Sequence, residues 1–429
     1  MKLGKLICLL LVFFILAGMF SGCYDRREVD DLAYIIAIGL DKGKTNKLKL
    51  TLQFAVPRAI GGGGEGGGGG GGPEATSVIT LECPTIYAGF NMANNFVSRQ
   101  INLSHAKVIV FSKELASQGI GELVTALPRG REFRPTINVV VSRGEAEDYI
   151  KSVKPELETN PAKYYELNQS AFRYTAFTGN TIFHNFYTHS KSLFIQPVAT
   201  LAGVSKYKST EDFDLDDSTY KSKGRETPLE GDFKAGNLPK TGSIRSEVMG
   251  LAVFNGGKMV GELDGEETTY HLMVNGEYNH AYITERDPLE KDKFTILDVK
   301  RSRAPQHKVK IVDGKPQIDV EVKLEADIVV IQSGINYESV KKAGILEKSY
   351  EDNLKSGIMR YLTKTSKEFN TDLAGFGQQM KSKFLTWEQW EKFDWLNRYK
   401  DSTFNVEVDL KIRRPGLSIR TSPITQVED

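Results

Sequence analysis

Cysteine is scarce in this chain. Only three occur among 429 residues, and Cys8 and Cys23 lie in or at the end of the N-terminal apolar segment, which leaves Cys83 alone in the body. A disulfide scaffold and a four-cysteine zinc site are thereby excluded. Net charge is equally scarce: 56 Lys+Arg against 55 Asp+Glu gives +1. Without a field of one sign there is no electrostatic case for nucleic acid, and no nucleic-acid partner is expected. Beyond the N-terminal segment no apolar run approaches the roughly 18 residues of a spanning helix, so no further membrane span is expected.

Catalytic signatures are missing too. The six histidines, His105, His184, His189, His271, His280 and His307, contain no H-E-x-x-H spacing, and no G-x-S-x-G elbow occurs. Asp212, Asp214, Asp216 and Asp217 imitate the start of an EF-hand loop. Asp217 replaces the glycine that loop requires, however, and Lys223 stands where its bidentate glutamate belongs. These aspartates read as a solvated acidic stretch. Cys83 reads as a small buried hydrophobe. No catalytic residue, metal or cofactor is expected.

What is present begins with an address. Lys2 and Lys5 precede an apolar run from Leu6 to Phe20, followed by Ser21, Gly22 and Cys23. The run is short for a permanent span and suits a secretory signal peptide, here residues 1–22. The Ser-Gly-Cys ending resembles the lipobox of bacterial lipoproteins, with Phe20 where leucine is usual. That resemblance implies that the Cys23 thiol carries a diacylglyceryl group. Two acyl chains hold a protein stably on a membrane, where one holds marginally. Arg26 and Arg27 follow directly and are candidates for headgroup or partner contact.

The body mixes strand and helix periods. Leu32 to Leu40 and Leu48 to Val56 read as a strand pair, the second with an apolar face at Leu48, Leu50, Leu52, Phe54 and Val56 and a polar face at Lys49, Thr51 and Gln53. The Gly61–Gly72 tract lacks a Lys-Ser/Thr partner, so it is no phosphate loop; it reads as a flexible excursion before a returning strand at Thr76 to Cys83. Helices are expected over Thr85 to Arg99, over Glu114 to Leu127 with a break at Gly119–Gly121, and over Glu145 to Val153. Strands are expected within Asn102 to Ser112 and over Ile137 to Val141.

A polar stretch, 206–246, reads as a linker. After it, Val248 to Phe254 and Lys258 to Leu263 flank Asn255-Gly256-Gly257, a hairpin signal. Strands are expected at His271 to Val274, Ala281 to Thr284, Phe294 to Leu297, His307 to Val312, Asp319 to Ile331 and Phe404 to Ile412. Leu346, Tyr350, Leu354, Ile358, Tyr361 and Leu362 make one helical stripe. Trp387, Trp390 and Phe393 keep helical spacing and read as core packing. The expected fold is α+β and multi-domain, about three domains, with mixed or antiparallel sheets each packed by helices. Its units are an N-terminal region at 23–205, holding one or two subdomains, the linker at 206–246, a C-terminal domain at 247–418 and a tail at 419–429.

Several stretches resemble the Ger(x)C lipoproteins, the C subunits of spore germinant receptors. They are Cys23-Tyr24-Asp25-Arg26-Arg27-Glu28 with Ile38-Gly39-Leu40-Asp41, the hairpin at Gly250–Glu267, Asp372–Gly377, and Trp387 onward to Ile412-Arg413-Arg414-Pro415-Gly416. The resemblance implies a non-enzymatic, lipid-anchored subunit on the outer face of the spore inner membrane. Its implied partners are the receptor's A and B membrane subunits, and its implied role is in nutrient-triggered germination. The alternative is a free-standing extracytoplasmic solute-binding lipoprotein, which would show two similar α/β lobes.

Overall fold

The computed structural model describes residues 2–19, 28, 31–56, 76–158, 160–213, 223–225, 227–416 and 421. Cys23, Arg26, Arg27 and the Gly61–Gly72 tract lie outside the described residues. The N-terminal apolar segment forms helix α1 (Lys2–Met19). Past it, no helix among the described residues is long and apolar enough to cross a membrane.

The first sheet has strands β1 (Leu32–Lys42), β2 (Leu48–Ala55), β3 (Thr76–Cys83), β4 (Gln100–Asn102), β5 (Val108–Ser112), β6 (Asn138–Ser142), β7 (Val198–Val204), β8 (Ser246–Asn255) and β9 (Lys258–Leu263). Its order is β3-β2-β1-β5-β6-β7-β8-β9, with β4 beside the start of β1. The centre, β1-β5-β6-β7, is parallel and the flanks are antiparallel. Parallel strands are buried on both faces, which is why β1 reads as an unbroken apolar run.

Helices α2 (Ile86–Ala93), α3 (Lys113–Gln118), α4 (Gly121–Ala126) and α7 (Phe183–Ser190) cover one face. Helices α5 (Ala146–Ser152) and α6 (Pro161–Gln169) cover the other. The second cover explains a departure from the alternation of β2. Its polar face is buried as well, and pairing satisfies it: Thr51 Oγ1 lies 3.1 Å from Thr80 Oγ1, and Gln53 Oε1 accepts from the Tyr165 hydroxyl at 2.8 Å. The expected break between α3 and α4 sits against the hairpin turn. Ile120 N donates to Gly257 O at 2.7 Å, and a Cβ on Gly257 would stand 2.6 Å from Gly121 Cα.

The second sheet contains β10 (His280–Arg286), β11 (Phe294–Arg301), β12 (Gln306–Val312), β13 (Lys315–Ile331) and β14 (Thr403–Arg414), in the order β10-β11-β13-β12 with β14 parallel to β13. Helix α9 (Val340–Thr363) packs its stripe of Leu346, Tyr350, Leu354 and Ile358 into the core. The other face of β13 is half-buried and charged, so the sheet is backed on one side only.

One expectation is corrected. His271 to Val274 is not a strand but the end of helix α8 (Gly265–Asn275). Asp264 caps it and exchanges hydrogen bonds with Glu267, a capping box, and Gly276 ends it at φ +84°. The helix is buried nearly all round, so its apolar run has no visible helical period. The first sheet continues past the polar stretch at 206–246. The β8–β9 hairpin, expected to open the C-terminal domain, pairs with β7 and completes the first sheet. Within the expected linker, Phe233 and Ala235 are buried, and Ala235 N donates to Met249 O at 3.0 Å. One apolar cluster runs from Leu251 and Leu263 of the first sheet, through Tyr270, Leu272 and Met273 of α8, into the second.

Candidate functional site

The polar side chains with the most unusual environments lie along the seam between the sheets. Helix α8 begins there because Asp264, Glu266 and Glu267 favour its positive N-terminal end. Onto these acids the polar segment brings Lys223 and Arg225. Lys223 Nζ lies 2.7 Å from Asp232 Oδ1, 2.8 Å from Asp264 Oδ2 and 2.9 Å from Glu266 Oε2. Arg225 Nη1 donates to both carboxylate oxygens of Asp232, at 2.7 and 2.9 Å, and Nη2 donates to Glu266 Oε1 at 2.8 Å. Lys364 holds both oxygens of Glu267 at 2.8 Å.

Charges removed from water need such complete pairing. Burial pushes the Asp264 carboxyl up to about 6, with Glu267 adding to the rise and Lys223 opposing it. Glu266 moves the other way, well below the usual carboxylate range: Lys223 and Arg225 together outweigh its burial. Glu285, next to this cluster, is pushed up to about 7 by burial, against the pull of Arg225. A cleft of about 600 Å³ opens here, lined by Arg143, Lys234, Glu266, Arg360 and Lys364 among others.

A second knot closes the seam. Asp372 is fully buried and starts the Asp372–Gly377 stretch. Its Oδ1 accepts from Gly375 N at 2.8 Å and Phe376 N at 3.2 Å; its Oδ2 accepts from Gly377 N and from Trp395 Nε1, both at 2.9 Å. These amides belong to the start of α10 (Phe376–Lys381). Gly375 has φ +73°, and a Cβ on Gly377 would stand 2.5 Å from Trp395 Nε1. The spacing D-x-x-G-x-G thus encodes a carboxylate cradle. Asp372 O also accepts from Gln196 N at 2.8 Å, which ties the cradle to the chain leading into β7.

Asp41 does similar work in the first sheet. From the end of β1 it accepts from Ala146 N at 2.7 Å and Glu147 N at 3.1 Å, capping α5 across the fold. That gives a structural reason for Ile38-Gly39-Leu40-Asp41. Of the tryptophans, Trp390 in α11 (Trp387–Phe393) and Trp395 in α12 (Trp395–Tyr399) are core, while Trp387 is half exposed. Cys83 is fully buried beneath Gly89, and burial pushes its thiol up. His271 is buried, with Nδ1 2.8 Å from the Tyr361 hydroxyl, and burial lowers it to about 4.

Among the described residues no group of three His, Cys, Asp or Glu is placed to hold a metal. Asp264, Glu266 and Asp372 each have structural partners, so the arrangement binds segments of the chain together. Cys23, Arg26 and Arg27 lie outside the described residues. Sequence reasoning missed Lys223, Arg225 and Asp232. The available signal was the capping box at Asp264 and Glu267, which sits inside a stretch read only as a hairpin.

Two family models match. One, described as spore germination protein N-terminal domain, covers residues 25–203, and the other, spore germination B3/GerAC like, C-terminal, covers 249–416. The chain belongs to the Ger(x)C family. Spore germination protein KC of Bacillus subtilis (strain 168) is 28% identical over 428 residues, 97% of each chain. Spore germination protein GerQC of Bacillus cereus is 20% identical, covering 95% of this chain and 99% of the relative. The crystal structure of the GerBC protein matches with a TM-score of 0.52 at 16% identity, over 87% of this chain and 96% of that one, and so shares the fold. In this Ger(x)C chain the second model begins inside β8, so the family's sequence division cuts through the first sheet.

Proposed function

We propose that this chain is the C subunit of a spore germinant receptor, held on the outer face of the spore inner membrane by a diacylated Cys23 and acting through contacts with the A and B membrane subunits. The observation that carries the reading is the end-to-end match to spore germination protein KC, 97% of each chain. The mode of action rests on the seam. Its buried ions are consumed in holding α8, the 223–232 segment and the second sheet to the first, which makes a rigid body suited to docking. The joined sheets also argue against two separate lobes closing on a solute.

Purification of the membrane complex from spores, with crosslinks mapped onto this chain, tests the partners. The chain is expected to copurify with both membrane subunits. Non-enzymatic action is tested with Cys83→Ala, the one thiol of the body. Germination is expected to survive at matched protein level. Loss of response in a stable, correctly localised Cys83→Ala protein would point to thiol chemistry instead.

A further inference from the structure

We propose that the pole of the first sheet at which β1 begins is a lipid-facing surface, in which the apolar side chains Met92 and Phe96 enter the headgroup region of an anionic membrane and Arg99, Arg129, Arg131 and Arg134 contact its phosphates. The proposal rests on the lipid-anchor reading and adds an orientation to it.

Three observations meet at this pole. The first is connectivity. Leu32, where β1 begins, follows Cys23 by nine positions. A chain spans at most about 3.6 Å per residue, so this end of the body stands within roughly 32 Å of an acylated Cys23. The parallel pairings of β1 with β4 and with β5, and of β5 with β6, bring the loops before β4, β5 and β6 to the same end.

The second is exposed apolar surface. Phe96 is 60% exposed and Met92 40% exposed, in the turn after α2 and its last residues. The turn is not loose: Phe96 N donates to Ala93 O at 3.2 Å, and Asn94 Oδ1 accepts from Ile101 N at 2.9 Å. A large aromatic held out by an ordered turn is a shape that enters a lipid interface.

The third is charge. Arg99, Arg129, Arg131 and Arg134 are all exposed, and among the described residues none is held in an ion pair. The Tyr87 hydroxyl donates to Leu127 O at 2.9 Å, and a Cβ on Gly130 would meet that hydroxyl, so the 127–131 turn lies against α2. Burial, then the charges of Arg134 and Lys107, lower the His105 imidazole, whose ring packs edge-on to Tyr34 of β1 at 4.7 Å. Glu132 is half-buried, with a carboxylate oxygen 3.4 Å from Leu103 N. Cations around an apolar tip complement an anionic leaflet, at on the order of fivefold in partitioning per arginine. Because the anchor already holds the body near the surface, even a weak contact would be populated.

The full acylated chain, reconstituted in phosphatidylcholine vesicles with and without phosphatidylglycerol, tests this. A fluorophore is placed at Phe96→Cys or, as a control, at the exposed Leu385→Cys, and brominated lipid is the quencher. Cys83 is buried and stays unlabelled. The label at 96 is expected to be quenched in phosphatidylglycerol vesicles and the label at 385 not. Arg99→Glu with Arg131→Glu should reduce the quenching on the order of tenfold, as should high salt. Unquenched label at 96 on chains that float with the vesicles would overturn this surface and leave the anchor standing. Chains that do not float at all would overturn the anchor, and this surface with it.

Discussion

Glu285 is the carboxylate through which pH acts most directly on this fold. It is buried beside Arg225, accepts from Asn353 Nδ2 at 3.2 Å, and is pushed up from 4.5 to about 7. Between those values the folded chain keeps a proton that the unfolded chain releases. Stability from this group is therefore fully present below about pH 4.5 and is lost as pH rises through 7. Asp264 and Asp372, both raised to about 6, act with the same sign, while His271, lowered to about 4, acts against them below pH 6.5. Glu285→Gln removes one titration, so native stability relative to this variant should fall by roughly 3 kcal/mol between pH 4.5 and 8. Urea unfolding at both pH values measures it; parallel pH profiles would mean that Glu285 does not change its protonation on folding. None of this is visible in sequence, where Glu285 is one acid among 55 Asp+Glu. Burial and an approaching guanidinium from 60 positions away make it unusual, and neither has a local signature.

Elements with their own period were legible. The stripe of α9, the Asn255-Gly256-Gly257 hairpin and the alternation of β13 each survive because local pattern and tertiary burial agree. Helix α8 was not legible, since complete burial erases amphipathicity. What protects an edge was also hidden. The outer side of β14 presents amides to α9, and two glutamates meet them: Glu351 Oε1 accepts from Leu410 N at 3.1 Å and Glu347 Oε1 from Ile412 N at 2.8 Å. The helix thereby occupies hydrogen-bonding sites that another strand would use. The double variant Glu347→Ala, Glu351→Ala should lose about 2–4 kcal/mol and self-associate at concentrations where the native chain does not. Denaturant midpoint and light scattering report on the two effects; an unchanged midpoint would show that those amides find other acceptors.

At the scale of the whole molecule, the two sheets form one body. The polar segment that composition marks as a linker is a strap, with Lys223 and Arg225 locked to α8 and Phe233 in the core. Composition reports the mean polarity of such a segment, while three or four residues decide whether it packs. Three of the four stretches that resemble the family and fall within the described residues turn out to be architecture. Asp41 caps a distant helix, Asp372 cradles α10, and the hairpin carries the capped start of α8. On the proposed function, this fixed surface is what the chain presents to its partners, and Cys23 holds it at the membrane. The most direct test is fractionation of spores that produce Cys23→Ala at matched level, together with their nutrient germination rate. The account predicts that the variant leaves the inner-membrane fraction and that germination falls to the level of spores lacking the chain. Retention in that fraction without acyl groups, with germination unchanged, would contradict it.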